Sequence, residues 1–417
     1  MASPVDLVAR LLVLLNQVRV QLGQGPLAAD ASTRFADALD SMGFVEFLAL
    51  TAEDCGVAVE AIEQAAGRRY GSVGELAVVL VSLSSPLARS ARDGISALPV
   101  RGMSAWLTAT AAALPVQRQP ASAINALLNR PPGWLEEHAG IEARCLWGDD
   151  DPLDAAARAA QDCLRQAGLS PAAVGALLVT SEAPPLPVGL AAALHARLSL
   201  PATSAALEIG GACTGFLTAL WTARHLLRDA AAVLVVAVEA PSRWLALSPT
   251  PAGEAAALFG DAAAACLLTA QPASAGALCL RDVVLGTDGA AGPLLRIEMT
   301  PGRGAELHMH GIAVAHRAVR AMADAVQQLC ARHNLIVDQL AAVIAHGGNG
   351  RMPALLARRL GLPSQRVRSE TAGTGNLGSA SLPVAWNACA PSGSPRAIWT
   401  AVGAGLQWGA ILLEAAT

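Results

Sequence analysis

Gly210-Gly211-Ala212-Cys213-Thr214-Gly215-Phe216 sets one cysteine among three glycines at the head of an apolar run, Phe216–Leu226. Glycine permits the sharp turn by which a strand passes into a helix. A thiol at a helix start feels the positive end of the dipole, which favours its thiolate. Cysteine is more often a small buried hydrophobe, and that reading suits the other seven of the eight present. Cys213 is therefore the candidate nucleophile, and the turn that carries it implies an α/β fold.

The sequence around this turn occurs in two copies. Ala159-Ala160-Gln161 through Leu169, then Val174 and Ala176-Leu177-Leu178-Val179, aligns without gaps to Ala325-Val326-Gln327 through Leu335, Leu340 and Ala342-Val343-Ile344-Ala345. Arg197-Leu198-Ser199-Leu200-Pro201 returns as Arg359-Leu360-Gly361-Leu362-Pro363. The offsets, 166 and 162, differ by one short loop. A duplicated helix–turn–strand half explains both segments and their preserved order. It puts the loop of Cys213 and the loop of Asn376 in equivalent places, with His346 ending the strand that mirrors Ala176–Val179. The runs Ala176–Thr180, Ala231–Ala237, Ala262–Leu268, Ala342–Ala345 and Ala397–Val402 suit strands buried on both faces. His346 leads into Gly347-Gly348-Asn349-Gly350-Arg351, whereas His195, His225, His316 and His333 fall on helical patterns.

At 417 residues the chain has room for more than one core. Hydrophobic residues make up 53% and mean hydropathy is +0.43. The most suspicious run, Ala397–Leu413, is uncharged but broken by Gly403, Gly405, Gln407 and Gly409, so it reads as strand, turn and strand rather than a membrane span. No secretory pattern stands at the N-terminus, and a cytoplasmic location is expected. The cysteines lack C-x-x-C spacing, so neither a metal site nor a disulfide framework is expected. All 29 basic residues are arginine, which excludes Schiff-base chemistry at a lysine. Residues 1–85 hold ten acids against five arginines, within a chain of net charge −4. An acidic segment beside a near-neutral one argues against nucleic acid and suits docking to arginine-bearing partners.

That acidic segment reads as helical. Val5, Val8, Leu11, Leu12, Leu15 and Val18 recur at helical spacing over residues 4–22, and further helices are expected behind Ser41, around Val57–Gln64 and around Val73–Val81. A turn-rich stretch from Ser82 through Gly94 reads as a linker. Asp40-Ser41-Met42-Gly43-Phe44-Val45-Glu46 opens the second helix, where a serine is ordinarily an N-cap. In an acidic helical segment this heptapeptide resembles the D-S-[L/M] motif of acyl carrier proteins. The resemblance covers roughly residues 4–82 and implies a four-helix carrier bundle with 4′-phosphopantetheine as covalent cofactor on Ser41.

Residues 97–417 resemble the β-ketoacyl-ACP synthase III-type enzymes of the thiolase superfamily. Besides the cysteine turn, Leu258-Phe259-Gly260-Asp261-Ala262 matches the family's L-F-G-D-G, and His346-Gly347-Gly348-Asn349-Gly350-Arg351-Met352 its H-Q-A-N-x-R-[I/M]. Gly375-Asn376-Leu377-Gly378-Ser379-Ala380-Ser381-Leu382-Pro383 matches G-N-T-S-A-A-S-I-P, and Gly403–Ala410 keeps the closing G-A-G-x-x-W-G-A. The resemblance implies a thiolase fold of duplicated αβαβα layered halves, about 97–270 and 271–417, and a homodimer. It implies a catalytic triad of Cys213, His346 and Asn376. The backbone N–H groups of Cys213 and Gly405 would hold the acyl oxyanion, and Trp134, Arg243 and Asn349 would line the channel of the incoming arm. The expected organisation is a carrier domain over 1–84, a linker over 85–96 and a synthase over 97–417.

Gly347-Gly348 departs from the family's Gln-Ala, an expected loosening of the loop or widening of the acceptor site. His138-Ala139-Gly140-Ile141 replaces R-T-G-I, losing an arginine associated with the coenzyme A channel. The function implied is a decarboxylative Claisen condensation in polyketide- or fatty-acid-type biosynthesis: an acyl group loaded on Cys213 joins a malonyl-type thioester. Substrates would come on coenzyme A or on a carrier protein, the chain's own or a partner. The alternative is an acyltransferase passing the acyl group to an oxygen, nitrogen or sulfur nucleophile without decarboxylation; a third reading, a degenerate synthase used as scaffold, conflicts with the intact Cys, His and Asn.

Overall fold

A computed structural model describes residues 4–21, 24–39, 41–55, 57, 61–62, 71–83, 105–182, 189–274, 276–300, 304–389 and 396–415. Asp40, the expected linker over 85–96 and the Pro184-Pro185-Leu186-Pro187 loop lie outside them, as does most of the helix expected around Val57–Gln64. The chain divides into two compact units, residues 1–97 with 311–316 and residues 98–310 with 317–417.

The first unit is helical, with Pro4–Gln21, the short Phe35–Ala38, Ser41–Cys55 and Val73–Ser82. Leu7, Leu11, Leu15 and Val18 line one stripe of the first helix and bury against Phe47, Leu48, Leu76 and Leu80. Phe35 packs on Phe44 and Phe47 with ring centroids 4.9 and 5.1 Å apart. Asn16 pins the following loop, donating to the Leu27 carbonyl at 3.1 Å and accepting from its N–H at 2.7 Å. Ser72 starts the last helix through a reciprocal capping box with Glu75.

Among its described residues the second unit holds fourteen strands: β1 (Trp106–Ala113), β2 (Arg118–Pro120), β3 (Ala143–Cys145), β4 (Val174–Thr180), β5 (Ala205–Glu208), β6 (Ala232–Glu239) and β7 (Ala262–Thr269). Then come β8 (Leu278–Thr287), β9 (Leu295–Thr300), β10 (Gly304–Met309), β11 (Ala342–Ala345), β12 (Val367–Arg368), β13 (Arg396–Gly403) and β14 (Gln407–Ala415). All five apolar runs are strands, and the run from Ala397 is the antiparallel β13–β14 hairpin.

Ten strands form one mixed sheet in the order β12-β11-β13-β14-β8-β1-β7-β6-β4-β5. Read outward from the centre, each side repeats the other. β4 lies parallel between β5 and β6, as β11 does between β12 and β13. Antiparallel β7 follows β6 as β14 follows β13, and β1 and β8 complete the sides. At the seam β1 and β8 share two registered pairs, Trp106↔Cys279 and Leu107↔Leu278. The duplication legible in the sequence is thus the symmetry of the sheet.

β7 shows why its sequence is mostly alanine. Strand side chains alternate between faces. Ala262, Ala264 and Cys266 face a central core with Phe216, Leu220 and Trp399. Ala263, Ala265 and Leu267 face an outer core with the helix Pro152–Ala167, itself lined by Ala155, Ala156, Ala159 and Ala160. Small side chains on both surfaces bring the helix close to the strand, and the aromatics fill the central layer. The Trp399 ring packs at a tilt on Trp386 and Phe216, with centroids 5.7 and 6.5 Å away. No helix among the described residues is long and apolar enough to cross a membrane.

Candidate active site

Cys213 sits in a 3-10 turn, Ala212–Thr214, that opens the helix Gly215–Leu226. The turn is tight enough to force Ala212 to φ +48°, a left-handed value unusual outside glycine. Thr214 clamps it, its Oγ1 donating to the Gly211 carbonyl at 2.6 Å. Cys213 itself is buried.

A second turn of the same kind, Gly378–Ala380, opens the helix Ser381–Cys389. It lies 166 residues on, the offset of the repeated strands, so Ser379 mirrors Cys213 and Gly378, at φ +52°, mirrors Ala212. The mirror extends to the strand ends: Thr180 closes β4 as His346 follows β11, and Glu239 closes β6 as Gly403 closes β13. Thr180 Oγ1 and Ser379 Oγ lie 2.8 Å apart. The positions that mirror these two are His346 and Cys213. Glu239 Oε1 accepts from the Ser379 N–H at 3.1 Å and also from its hydroxyl. At the mirrored position Gly403 has no side chain, and a Cβ there would stand 3.0 Å from the Cys213 nitrogen and 2.9 Å from the Gly211 oxygen. In one half, then, a carboxylate fills the mouth of the turn; in the other the place beside the Cys213 N–H is kept clear.

His346 is buried, and its Nδ1 lies 3.1 Å from Ser381 Oγ. Ser381 donates its own proton to the Gly378 carbonyl at 2.8 Å, so it accepts from Nδ1–H and leaves the lone pair on Nε2. Burial pushes the imidazole down to about 4, so it is neutral at pH 7. Asn376 is fixed by its backbone, pairing with Leu258 and Gly260 at 2.7 and 3.0 Å. Its Oδ1 accepts from the Gly378 N–H at 2.9 Å, which leaves the amide NH2 as the group free to meet a substrate. Gly260 admits no Cβ, since one would lie 2.0 Å from the Thr374 carbonyl. Asp261 is fully buried and gathers the Trp147 N–H at 2.8 Å and the Ser242 N–H at 3.0 Å. The Leu258–Asp261 motif is thus the mount for Asn376.

Two carboxyl groups complete the site, and neither was singled out from sequence. Glu182, just past β4, accepts a hydrogen bond from the Cys213 thiol, and its N–H donates to Glu239 Oε2 at 3.0 Å. Glu182 Oε1 is out of reach of solvent and has no partner among the described residues. Burial raises Glu182 above the usual carboxylate range, and burial followed by the charge of Glu182 raises Glu239. The same surroundings correct the expected thiolate. Burial first, then the charges of Glu182 and Glu239, push the Cys213 thiol well up. A helix dipole supplies only about 0.3–1 kcal/mol to a neighbouring charge, too little against two carboxyl groups, so Cys213 rests as a thiol. The signal available in sequence was position alone: both acids stand at the carboxyl ends of parallel strands, where open α/β sheets place their sites.

Gly405 stands in the β13–β14 turn at φ +125°. Its neighbour Gln407 reaches back, with Oε1 3.4 Å from Thr214 Oγ1. Asn349 Oδ1 accepts from the N–H groups of Arg351 and Met352 at 3.0 Å, a cap on the helix Met352–Leu360. Trp134 stacks on His138 at 5.2 Å with Arg130 over its ring at 5.2 Å. Arg243 donates to the Asp150 carbonyl from an exposed position. Neither glycine after His346 has open space for a side chain. A Cβ at Gly347 would lie 2.4 Å from Thr371 Oγ1, so no loosening follows there, and one at Gly348 would lie 3.1 Å from Met352 Sδ and 4.0 Å from His346 Nε2. Ser41 is the first residue of its helix; its side chain lies outside the described residues. Among these residues no group of acids, histidines and cysteines is placed to hold a metal ion.

Comparison with known proteins bears on the same segments. The family described as 3-oxoacyl-[acyl-carrier-protein (ACP)] synthase III matches residues 207–289, and its C-terminal counterpart matches residues 330–415. The first span holds Cys213 and the second His346 and Asn376. A 3-oxopimeloyl-[acyl-carrier-protein] synthase of Rhodothermus marinus is 32% identical over 348 residues, 80% of this chain and 98% of the relative. A β-ketoacyl-[acyl-carrier-protein] synthase III of Gloeobacter violaceus is 31% identical over 326 residues, 73% of this chain and 97% of the relative. The crystal structure of 3-oxoacyl-(acyl carrier protein) synthase III from Pseudomonas aeruginosa superposes with a TM-score of 0.68 at 29% identity, covering 75% of this chain and 99% of that one.

Proposed function

Since the chain belongs to the 3-oxoacyl-[acyl-carrier-protein] synthase III family of condensing enzymes, we propose that it loads an acyl group on Cys213 and condenses it with a malonyl-type thioester. In the first step Cys213 Sγ attacks the thioester carbonyl, and the acyl carbon–sulfur bond of the donor breaks. The oxyanion formed meets the Cys213 N–H, with the Gly405 N–H as second donor. The observation that carries this reading is the mirrored turn: Gly403 keeps clear beside Cys213 the place that the Glu239 carboxylate fills beside Ser379. A site already shaped around an anion in one half is shaped for a transient anion in the other.

In the second step the malonyl carboxylate leaves as carbon dioxide. Its electron pair becomes an enolate that attacks the acyl carbon, and Cys213 is released. Asn376 offers its amide NH2 to the enolate oxygen. His346 stands with Asn376 at the same oxygen and lends a donor at Nε2 by taking a proton from solvent, which it gives back once the enolate has attacked the acyl carbon. Trp134 and Arg243 are assigned to the path of the arm, and Asn349 holds the loop behind His346.

We assign to residues 1–84 the role of a carrier bundle, and to Ser41 the attachment of 4′-phosphopantetheine. A helix start accommodates a phosphodiester, because its free N–H groups face outward. The arm would supply the thiol on which an acyl or malonyl group travels. The dimer, the carrier-protein partners and the polyketide- or fatty-acid-type setting belong to the same reading.

Intact mass after incubation with acyl and malonyl thioesters is the test. We expect an acyl adduct on Cys213, lost in Cys213→Ala. We expect carbon dioxide release to fall about 10²–10³-fold in Asn376→Ala while the adduct still forms. Acyl transfer to an alcohol or amine with no carbon dioxide release would establish the alternative. Incubation with coenzyme A and a phosphopantetheinyl transferase should add one phosphopantetheinyl group, absent in Ser41→Ala.

A further inference from the structure

Three features of the site converge on Glu182. Its carboxyl group touches the sulfur of Cys213, which rests as a thiol and must lose a proton to attack. Its Oε1 is enclosed, without a partner among the described residues, where a buried polar oxygen is ordinarily satisfied. The third feature is the space it occupies. Gly378 stands where the family motif has serine, and a Cβ at that position would lie 3.0 Å from Glu182 Oε1 and 3.0 Å from Glu239 Cδ. A serine side chain would crowd the carboxyl group that reaches Cys213 and displace it by a few tenths of an ångström. The glycine at 378 leaves the acid at 182 its place.

Glu239 does not share this freedom. It accepts the Glu182 N–H, the Ser379 N–H and the Ser379 hydroxyl, so its oxygens are committed. His346 commits its Nδ1 proton to Ser381 and is held far below an ordinary imidazole, which makes Nε2 a weak base. We propose that Glu182 is a catalytic residue that carries the Cys213 proton through the cycle. Resting on the acyl-Cys213 reading, the role has two halves. As Sγ forms its bond to the acyl carbon, the thiol proton passes to the Glu182 carboxylate, and the departing thiolate of the donor takes a proton from solvent. When the enolate displaces Cys213, the Sγ–acyl bond breaks and Glu182 returns its proton to sulfur. No oxidant or further reactant enters. A carboxyl group raised by burial is matched to this task, because it lies nearer the thiol in proton affinity than an ordinary carboxylate does.

Among the described residues, the groups that face Glu182 are Cys213 from its turn and Glu239 from the end of β6; Gly378 and Ser379 add no charge. Acylation should therefore fall as pH drops through the raised Glu182 value. The test is single-turnover acylation of the full chain by acetyl- and hexanoyl-coenzyme A, followed by mass from pH 5 to 9.5. Wild type, Glu182→Gln, Glu182→Asp and His346→Ala are compared. We expect Glu182→Gln to acylate about 10²-fold more slowly at pH 7. It should lose the low-pH limb and recover at high pH, where the thiol ionises unaided; a misfolded protein would not recover. Glu182→Asp should keep the limb, and the limb should survive in His346→Ala even where its rate falls. Unchanged rate and pH dependence in Glu182→Gln, or loss of the limb in His346→Ala instead, would overturn the proposal while leaving the acyl-Cys213 reading standing. Failure of wild-type Cys213 to take an acyl group from either probe would bring down both.

Discussion

Gly403 carries more of the chemistry than its missing side chain suggests. Its Cα backs the N–H groups of Cys213 and Thr214, and a methyl group there would stand at 3.0 Å from both nitrogens. Gly403→Ala should therefore block the approach of a thioester oxygen while leaving the thiol in place. We expect acylation to fall by about 10²-fold or more, as for loss of an oxyanion donor, with Cys213 still alkylated by iodoacetamide. Equal acylation in the variant would show that the oxyanion is held elsewhere. Cys213 and His346 were legible as residues, one from its glycines and the other from the strand it ends. Their electrostatics were not. The dipole argument for a thiolate treats the helix alone, and the opposing charges come from residues 31 positions upstream and 26 downstream. Such contacts leave no local pattern to read.

The strands and helices were clearer, because burial writes itself into period. The five apolar runs became β4, β6, β7, β11 and β13, and the repeat offset of 166 gave the register of two halves that the sheet order confirms. Short strands such as β5 and β12 escaped notice. β5 is half-exposed at the sheet edge, so no apolar run marks it. In the helical unit the start of the helix Val73–Ser82 rests on the Ser72–Glu75 capping box. Ser72→Ala should cost about 1 kcal/mol, as caps of this type do, read as a lowered urea midpoint of the helical unit by circular dichroism. An unchanged midpoint would mean that packing of Leu76 and Leu80 alone fixes the helix.

Across the molecule, the buried acids set stability against function. Glu182 has a folded-state pKa raised above the ordinary 4.5 by burial. Below about pH 4.5 the group is neutral in both states and costs nothing. As pH rises from there the unfolded chain ionises it freely, whereas the folded chain must hold the proton or bury the charge, so stability is lost. Glu182→Gln removes that loss. The variant should match wild type in urea midpoint near pH 4 and exceed it progressively toward pH 8, while turning over more slowly. A midpoint difference independent of pH would argue that Glu182 is not titrating in the fold.

The paired turns also have a pharmacological meaning. Ser379 and Glu239 together form a small-molecule complex that the protein made from its own parts: a turn N–H and a side-chain hydroxyl closed over one carboxylate oxygen. An inhibitor for the other turn can be drafted from that template. It would place a carboxylate or a boronate oxygen at the Cys213 N–H, in the gap over Gly403, with an apolar tail along the path proposed for the acyl chain. The half that carries Ser379 would then serve as the pharmacophore for the half that carries Cys213.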